Sequence, residues 1–227
     1  MRYVFFIPGK LTRNNPFFTA KAVHGIIPRG ILWTMEKYVF GGINITAHSL
    51  EEGYLSYPNS QGEVAVFSHP VHDEPIDLFK EIGGESERLK DIVLYSREQN
   101  NTVIAGITLE YGGIKRLSAA IAHKGELVDV ADSCSVSEPY TRSGTVKIYN
   151  TGKIKIAVLT GGDARVSFIL SKISGYCNLV VSLEPEYRPE NEQRIRKLSD
   201  NFLLPILYVS PARIFFAGRN RYGDTLN

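Results

Sequence analysis

Several absences narrow the reading first. The chain has only two cysteines, Cys134 and Cys177, in 227 residues. That is too few for a disulfide framework and compatible with a reducing compartment. It lacks an excess charge of either sign: 26 Lys+Arg against 24 Asp+Glu leave a formal charge of +2. A balance of this kind provides no general attraction for phosphate backbones, and no aromatic-basic motif is present, so nucleic-acid binding is not expected. No apolar stretch approaches the ~20 residues that span a bilayer, so no membrane role is expected. The apolar run that opens the chain, Tyr3 to Pro8, is short and is followed by Lys10, Arg13 and asparagines without a small-residue cleavage site. A secretory leader is therefore not expected, and the cytoplasm is the default location. Internal repeats and low-complexity segments are also missing.

What is present is ordinary for a globular protein: 43% hydrophobic and 22% charged residues. A chain of this length is expected to form one domain over 1–227, with a core that needs no staples. The first sixty residues are hard to read. A strand is expected at Tyr3–Ile7, followed by an aromatic region punctuated by Pro16, Pro28, Gly30 and Trp33, and then an apolar run over Tyr38–Thr46. Whether residues 10–36 form a helix or a long loop is left open by the pattern.

From residue 62 the periodicity is clear. GEVAVFS at Gly62–Ser68 and TVIAGIT at Thr102–Thr108 are apolar runs of strand length. Glu85–Asn100 places Leu89, Ile92 and Val93 on one helical face. Lys124-Gly125 reads as the turn of a hairpin between Arg116–His123 and Glu126–Ala131. Thr145–Tyr149 alternates as a strand, and KIKIAVLT at Lys153–Thr160 is the strongest strand pattern in the chain. Val166, Ile169, Leu170 and Ile173 then fall at helical spacing, with Asp163 placed to cap that helix and Gly175 to end it. Asn178–Leu183, Glu190–Phe202 and Leu204–Ser210 read as strand, helix and strand. The alternation predicts an α/β protein with helices outside mixed sheets.

The passage Gly152-Lys153-Ile154-Lys155-Ile156-Ala157-Val158-Leu159-Thr160-Gly161-Gly162-Asp163-Ala164-Arg165 resembles the nucleophile elbow of the nitrilase superfamily of carbon–nitrogen hydrolases. The pattern there is G-K-I-x-x-x-[LIV]-x-C-x-D-x-R, followed by an amphipathic helix and a strand. Ile104-Ala105-Gly106-Ile107, Gly125-Glu126-Leu127-Val128, Leu207-Tyr208-Val209-Ser210 and Phe216-Ala217-Gly218 resemble other core segments in the same order. The likeness covers roughly residues 62–220, with 1–60 as a divergent part. It implies an α-β-β-α sandwich: two stacked mixed sheets with outer helices. It also implies a homodimer or higher homo-oligomer associating through the face that carries the elbow and its helix.

The chemistry that this likeness implies needs a cysteine nucleophile, a glutamate base and a lysine to stabilise the oxyanion. The matching positions here hold other residues. Val66-Phe67-Ser68-His69 puts His69 (or Ser68) where the base belongs. Ala131-Asp132-Ser133-Cys134 puts Ser133 at the lysine, and Gly161 stands for the cysteine. Glycine cannot form a thioester, so classical amidase chemistry is not expected, and the leading expectation is a non-catalytic ligand-binding or assembly module.

Other groups remain open as candidates. Cys134 could serve as a nucleophile with His69, or be an ordinary packed thiol, as Cys177 is expected to be. Glu184 and Glu186, past the C-terminal end of a strand, could bind a ligand or act as an acid/base pair in a rebuilt carbon–nitrogen hydrolase, or simply lie in a charged loop. His69, Cys134, Thr160, Glu184 and Glu186 are therefore the expected ligand-binding residues for a small molecule. His69, His72, Asp73 and Glu74 are metal-capable, but Pro70 and the lack of a distant ligand favour a polar loop; neither metal nor cofactor is expected. Asp163 and Arg165 are expected to be structural, and Lys153 and Lys155 to face solvent.

Overall fold

The computed structural model describes residues 21–26, 32–49, 62–70, 74–136, 139–142 and 145–218. Two sheets stack face to face. The first is eight-stranded and is built from β1 (Lys21–Ile26), β2 (Leu32–Phe40), β3 (Ile43–His48), β4 (Val64–Phe67), the two-residue β5 (Ile76–Asp77), β6 (Thr102–Tyr111), β7 (Ile114–His123) and β8 (Glu126–Asp132). Its main path runs β1-β2-β3-β4-β6-β7-β8, with β5 pairing beside β6. The second sheet is five-stranded, in the order β13-β12-β11-β10-β9, from β9 (Lys147–Asn150), β10 (Lys155–Thr160), β11 (Leu179–Leu183), β12 (Ile206–Val209) and β13 (Ile214–Ala217). Both mix parallel and antiparallel pairs: β3-β4-β6 and β10-β11-β12 are parallel, and the flanking pairs antiparallel.

The apolar runs are continuous because these central strands are buried on both faces. In β4, Val64 and Val66 point between the sheets while Ala65 and Phe67 point outward. In β10, Ile156 and Val158 point inward while Ala157 and Leu159 point outward. The outer face of the first sheet is covered by α2 (Arg88–Glu98) through Leu89, Ile92 and Tyr95. The outer face of the second is covered by α3 (Ser167–Ile173) and α4 (Pro189–Phe202) through Leu170, Ile173 and Ile195. The expected α-β-β-α sandwich is the observed architecture.

Several local expectations need correction. Of residues 10–36, left open between helix and loop, the described ones, 21–26 and 32–36, form β1 and the start of β2, paired antiparallel, and the rest lie outside the described residues. The single apolar run at Tyr38–Thr46 is a hairpin, because Gly41 and Gly42 adopt φ of +56° and +75°, the paired left-handed turn that joins β2 to β3. The helix expected from Glu85 starts at Arg88. A short preceding helix, α1 (Leu78–Gly83), supplies Glu81, whose carboxylate accepts from the backbone N–H groups of Arg88, Leu89 and Lys90. That carboxylate satisfies amides that have no partner within the helix. Lys153 sits in the turn before β10 and pairs with Glu63 at 2.8 Å. The strand expected at Tyr3–Ile7 lies outside the described residues. Among the described residues, no helix is long and apolar enough to cross a membrane.

Candidate functional site at the elbow and its neighbouring cleft

The chain leaves β10 through two consecutive left-handed residues, Gly161 at φ +62° and Gly162 at +97°. It then makes a 3-10 turn over Asp163–Arg165 before α3 begins, with Val166 at the cap position. Asp163 therefore does not cap the helix. Its carboxylate reaches back across the sandwich to the segment after β8, accepting from Ser133 Oγ (3.0 Å), Ser135 Oγ (2.6 Å) and the backbone N–H of Cys134 (2.8 Å). Burial pushes the Asp163 carboxyl above its ordinary range, against the pull of those donors.

This latch brings the three positions singled out in the sequence to one place. Gly161 lies against Ser133: a Cβ at residue 161 would stand 2.9 Å from Ser133 Oγ and 2.5 Å from Val136 Cγ1. His69 Nε2 lies 2.7 Å from Thr160 Oγ1, immediately before the elbow. His69 fits because β6 has a glycine beneath it; a Cβ at Gly106 would come within 2.6 Å of the His69 backbone nitrogen. His69, Ser133 and Thr160 are closed off from solvent, each 2% exposed or less, while Gly161 borders the neighbouring cleft. Burial holds the His69 imidazole neutral, its pKa lowered to about 4, and its Nδ1 has no partner among the described residues. The Gly161 amide is also spent, donating to Leu183 O at 3.2 Å, and the Gly162 N–H lies near enough to the Glu184 carboxylate to lower its pKa. Backbone N–H groups of this kind stabilise an oxyanion only while they are free to donate to it.

Cys134 is half-buried, and no hydrogen bond joins it to His69, whose only ring partner is Thr160. Burial, reinforced by Asp163 and Asp132, raises the thiol to about 11, which disfavours the thiolate needed for attack. Cys177 packs in the core under α3. Of the metal-capable group, His72 and Asp73 lie outside the described residues, His69 is buried beneath the elbow, and Glu74 is exposed. Among the described residues, no cluster of three or more His, Cys, Asp or Glu could hold a metal.

Beside the closed elbow lies an open cleft of about 360 Å³. Of the expected ligand residues, Glu184 and Glu186 line it; His69, Thr160 and Cys134 do not. Glu184 is 2% exposed and sits past the end of β11. Its Oε1 accepts from Ser182 Oγ at 3.3 Å, and its Oε2 lies 3.6 Å from Arg165 NH2, so the expected Arg165–carboxylate pair forms here. Burial raises the Glu184 carboxyl to about 7 even though Arg165 and the two donors pull it down. Glu186 differs: it is exposed and forms a two-contact pair with Arg188 at the mouth, at 2.9 and 3.2 Å. The sequence reading missed Arg188 and Asn191 as lining residues. Both border the start of α4, where Pro189 marks the helix start but nothing in the pattern says which face looks into a cavity.

No family model matches the chain, and no curated protein matches it. Solved structures do. Glutamine-dependent NAD+ synthetase from Acinetobacter baumannii, bound to ADP, aligns with a TM-score of 0.57 at 14% identity, over 70% of this chain and 35% of the synthetase. An amidase from Nesterenkonia sp. aligns at 0.53 and 9% identity, over 68% of this chain and 66% of the amidase. Nit3 from Saccharomyces cerevisiae, a member of branch 10 of the nitrilase superfamily, aligns at 0.54 and 11% identity, over 65% and 62% of the two chains. The chain thus spans between about a third and two thirds of the length of these proteins. At such identities the likeness is one of fold, and it is the nitrilase-superfamily fold that the sequence resemblance implied.

Proposed function

We propose that this protein keeps the nitrilase-superfamily fold without carbon–nitrogen hydrolase chemistry and acts as a ligand-binding or assembly module. The observation that carries the reading is the closure of the elbow. His69 Nε2 meets Thr160, Ser133 meets Asp163 and lies against Gly161, and the Gly161 amide is already bonded. One relative from Nesterenkonia sp. AN1 carries acrylamide added to its active-site cysteine; here the matching motif position is glycine, and the only nearby thiol is Cys134, raised to about 11.

The test is a turnover screen of amides and nitriles with the purified chain, expected to give no rate above buffer. Turnover abolished by Cys134→Ala would overturn the proposal in favour of a rebuilt cysteine site. One observation favours a second, acid/base reading. Glu184 titrates at about 7 inside an open cleft, a value suited to proton transfer near neutral pH. That reading predicts turnover abolished by Glu184→Gln and untouched by Cys134→Ala.

The assembly half of the proposal draws on α3, the elbow helix, which leaves Phe168 67% exposed and Tyr176 just beyond it 69% exposed. Large apolar side chains left together on one face mark association surfaces. Light scattering is expected to find a dimer that Phe168→Glu converts to monomer without unfolding it; a wild-type monomer at all concentrations would remove the assembly role. The free state of Cys134 and Cys177 fits a reducing compartment.

A further inference from the structure

The inner wall of the cleft joins a buried carboxylate, Glu184, and a half-buried guanidinium, Arg165, that do not satisfy one another. Glu184 Oε2 and Arg165 NH2 are 3.6 Å apart, close enough to attract but too far to hydrogen-bond. Arg165 Nε is buried without a partner among the described residues. Asn191, 7% exposed, spends its Oδ1 on Arg165 NH1 at 3.3 Å and leaves its amide nitrogen available. At the mouth the situation is reversed, since Arg188 already meets Glu186 through two nitrogens. The unspent capacity is therefore concentrated at the inner pair: an acceptor carrying negative charge beside donors carrying positive charge. Leu117, Val136 and Pro185 supply apolar surface next to it.

We propose that this cleft binds a small zwitterion of the α-amino acid class, its ammonium on Glu184 and its carboxylate on Arg165 and Asn191, with a short side chain against Leu117, Val136 and Pro185. The inference rests on the non-hydrolytic reading above and adds a ligand class to it. Buried charges are stabilised by opposite charges held in hydrogen-bond contact, and charge-assisted bonds are about twice as strong as neutral ones. A neutral carboxamide could bond to both groups but would compensate neither charge. A lone cation or a lone anion would serve one group and leave the other as it is. The volume of about 360 Å³ sits at the small end of ligand pockets, in keeping with a ligand of this size.

The test is isothermal titration of the full chain at pH 7 with glycine, L-alanine and L-serine, against ethylamine, acetate and propionamide. At least one amino acid is expected to bind, with each single-charge fragment and the amide at least tenfold weaker. Glu184→Gln and Arg165→Gln are each expected to weaken amino-acid binding at least tenfold, with circular dichroism checking that they fold. Where a variant does not fold, the wild type provides the second readout. An ammonium on a carboxyl that titrates at about 7 must release protons, seen as a binding heat that depends on the ionisation enthalpy of the buffer. No binding by the amino acids, propionamide binding as tightly as they do, or binding without proton release would overturn the proposal. Hydrolysis of propionamide, measured separately, would refute the non-catalytic reading instead, so the two failures are distinguishable.

Discussion

The closed elbow and the open cleft adjoin one another, share Gly161, and obey opposite rules. Under the elbow, His69 and Thr160 form one buried hydrogen-bonded pair and Ser133 and Asp163 another. In the cleft, Glu184 and Arg165 are held near each other but short of a bond. The comparison teaches that two adjoining regions of one fold can be packed to different ends. The elbow is occupied by its own side chains, while the recess beside it holds both volume and charge.

The sharpest way to break this contrast is to restore a side chain at the elbow. Gly161→Cys would place a Cβ 2.5 Å from Val136 Cγ1 on a backbone at φ +62°. Left-handed strain and overpacking together are expected to destabilise the fold by about 2–5 kcal/mol. A thermal melt should read this as a fall of roughly 5–15 °C, without amidase activity. A variant as stable as the wild type would show that the elbow is not full.

The cleft is tested by pH. Because burial raises Glu184 from 4.5 to about 7, the folded state holds its proton more tightly than the unfolded chain does. The stability so gained is complete below about 4.5 and is lost as pH rises through about 7, a contribution of about 3 kcal/mol. His69 acts in the opposite sense. Its pKa is lowered from 6.5 to about 4, so stability falls as pH drops through that window. The two windows overlap, so the contributions largely offset one another between about pH 4.5 and 6.5, and in chemical unfolding Glu184→Gln should steepen the rise of stability with pH across that range. An unchanged slope would mean that Glu184 is more hydrated than its burial indicates.

The smallest effect is expected at the latch. Asp163→Ala removes the acceptor for Ser133, Cys134 and Ser135 and should cost about 1–3 kcal/mol. Hydrogen exchange should rise at the Cys134 amide while the amides of β11 stay protected; uniform loosening would show that the latch is not local.

Legibility in the sequence followed how local the cause was. The central strands could be read because burial on both faces leaves unbroken apolar runs such as VAVF and KIAVLT. The β2–β3 hairpin was hidden because its two-glycine turn interrupts an apolar stretch that otherwise reads as one strand. Asp163 looked like a helix cap because it stands just before a helical pattern, whereas its partners are 28 to 30 residues earlier in the chain. No local pattern encodes a bond of that separation. The nearness of Ser133 to Gly161 and of His69 to Thr160 was legible only by resemblance, and the cleft that opens beside them at Gly161 was not legible at all.

The order of the strands has one more consequence. Every described strand of the first sheet falls between residues 21 and 132, and every described strand of the second between 147 and 217, so among the described residues the chain passes from one sheet to the other once. The layer holding Val66, Ile104, Val158 and Val181 is thus the seam between two consecutive stretches of polypeptide. A cut in the crossover would leave two pieces that each expose an oily face, and co-expressed they should find each other and rebuild the sandwich as a heterodimer.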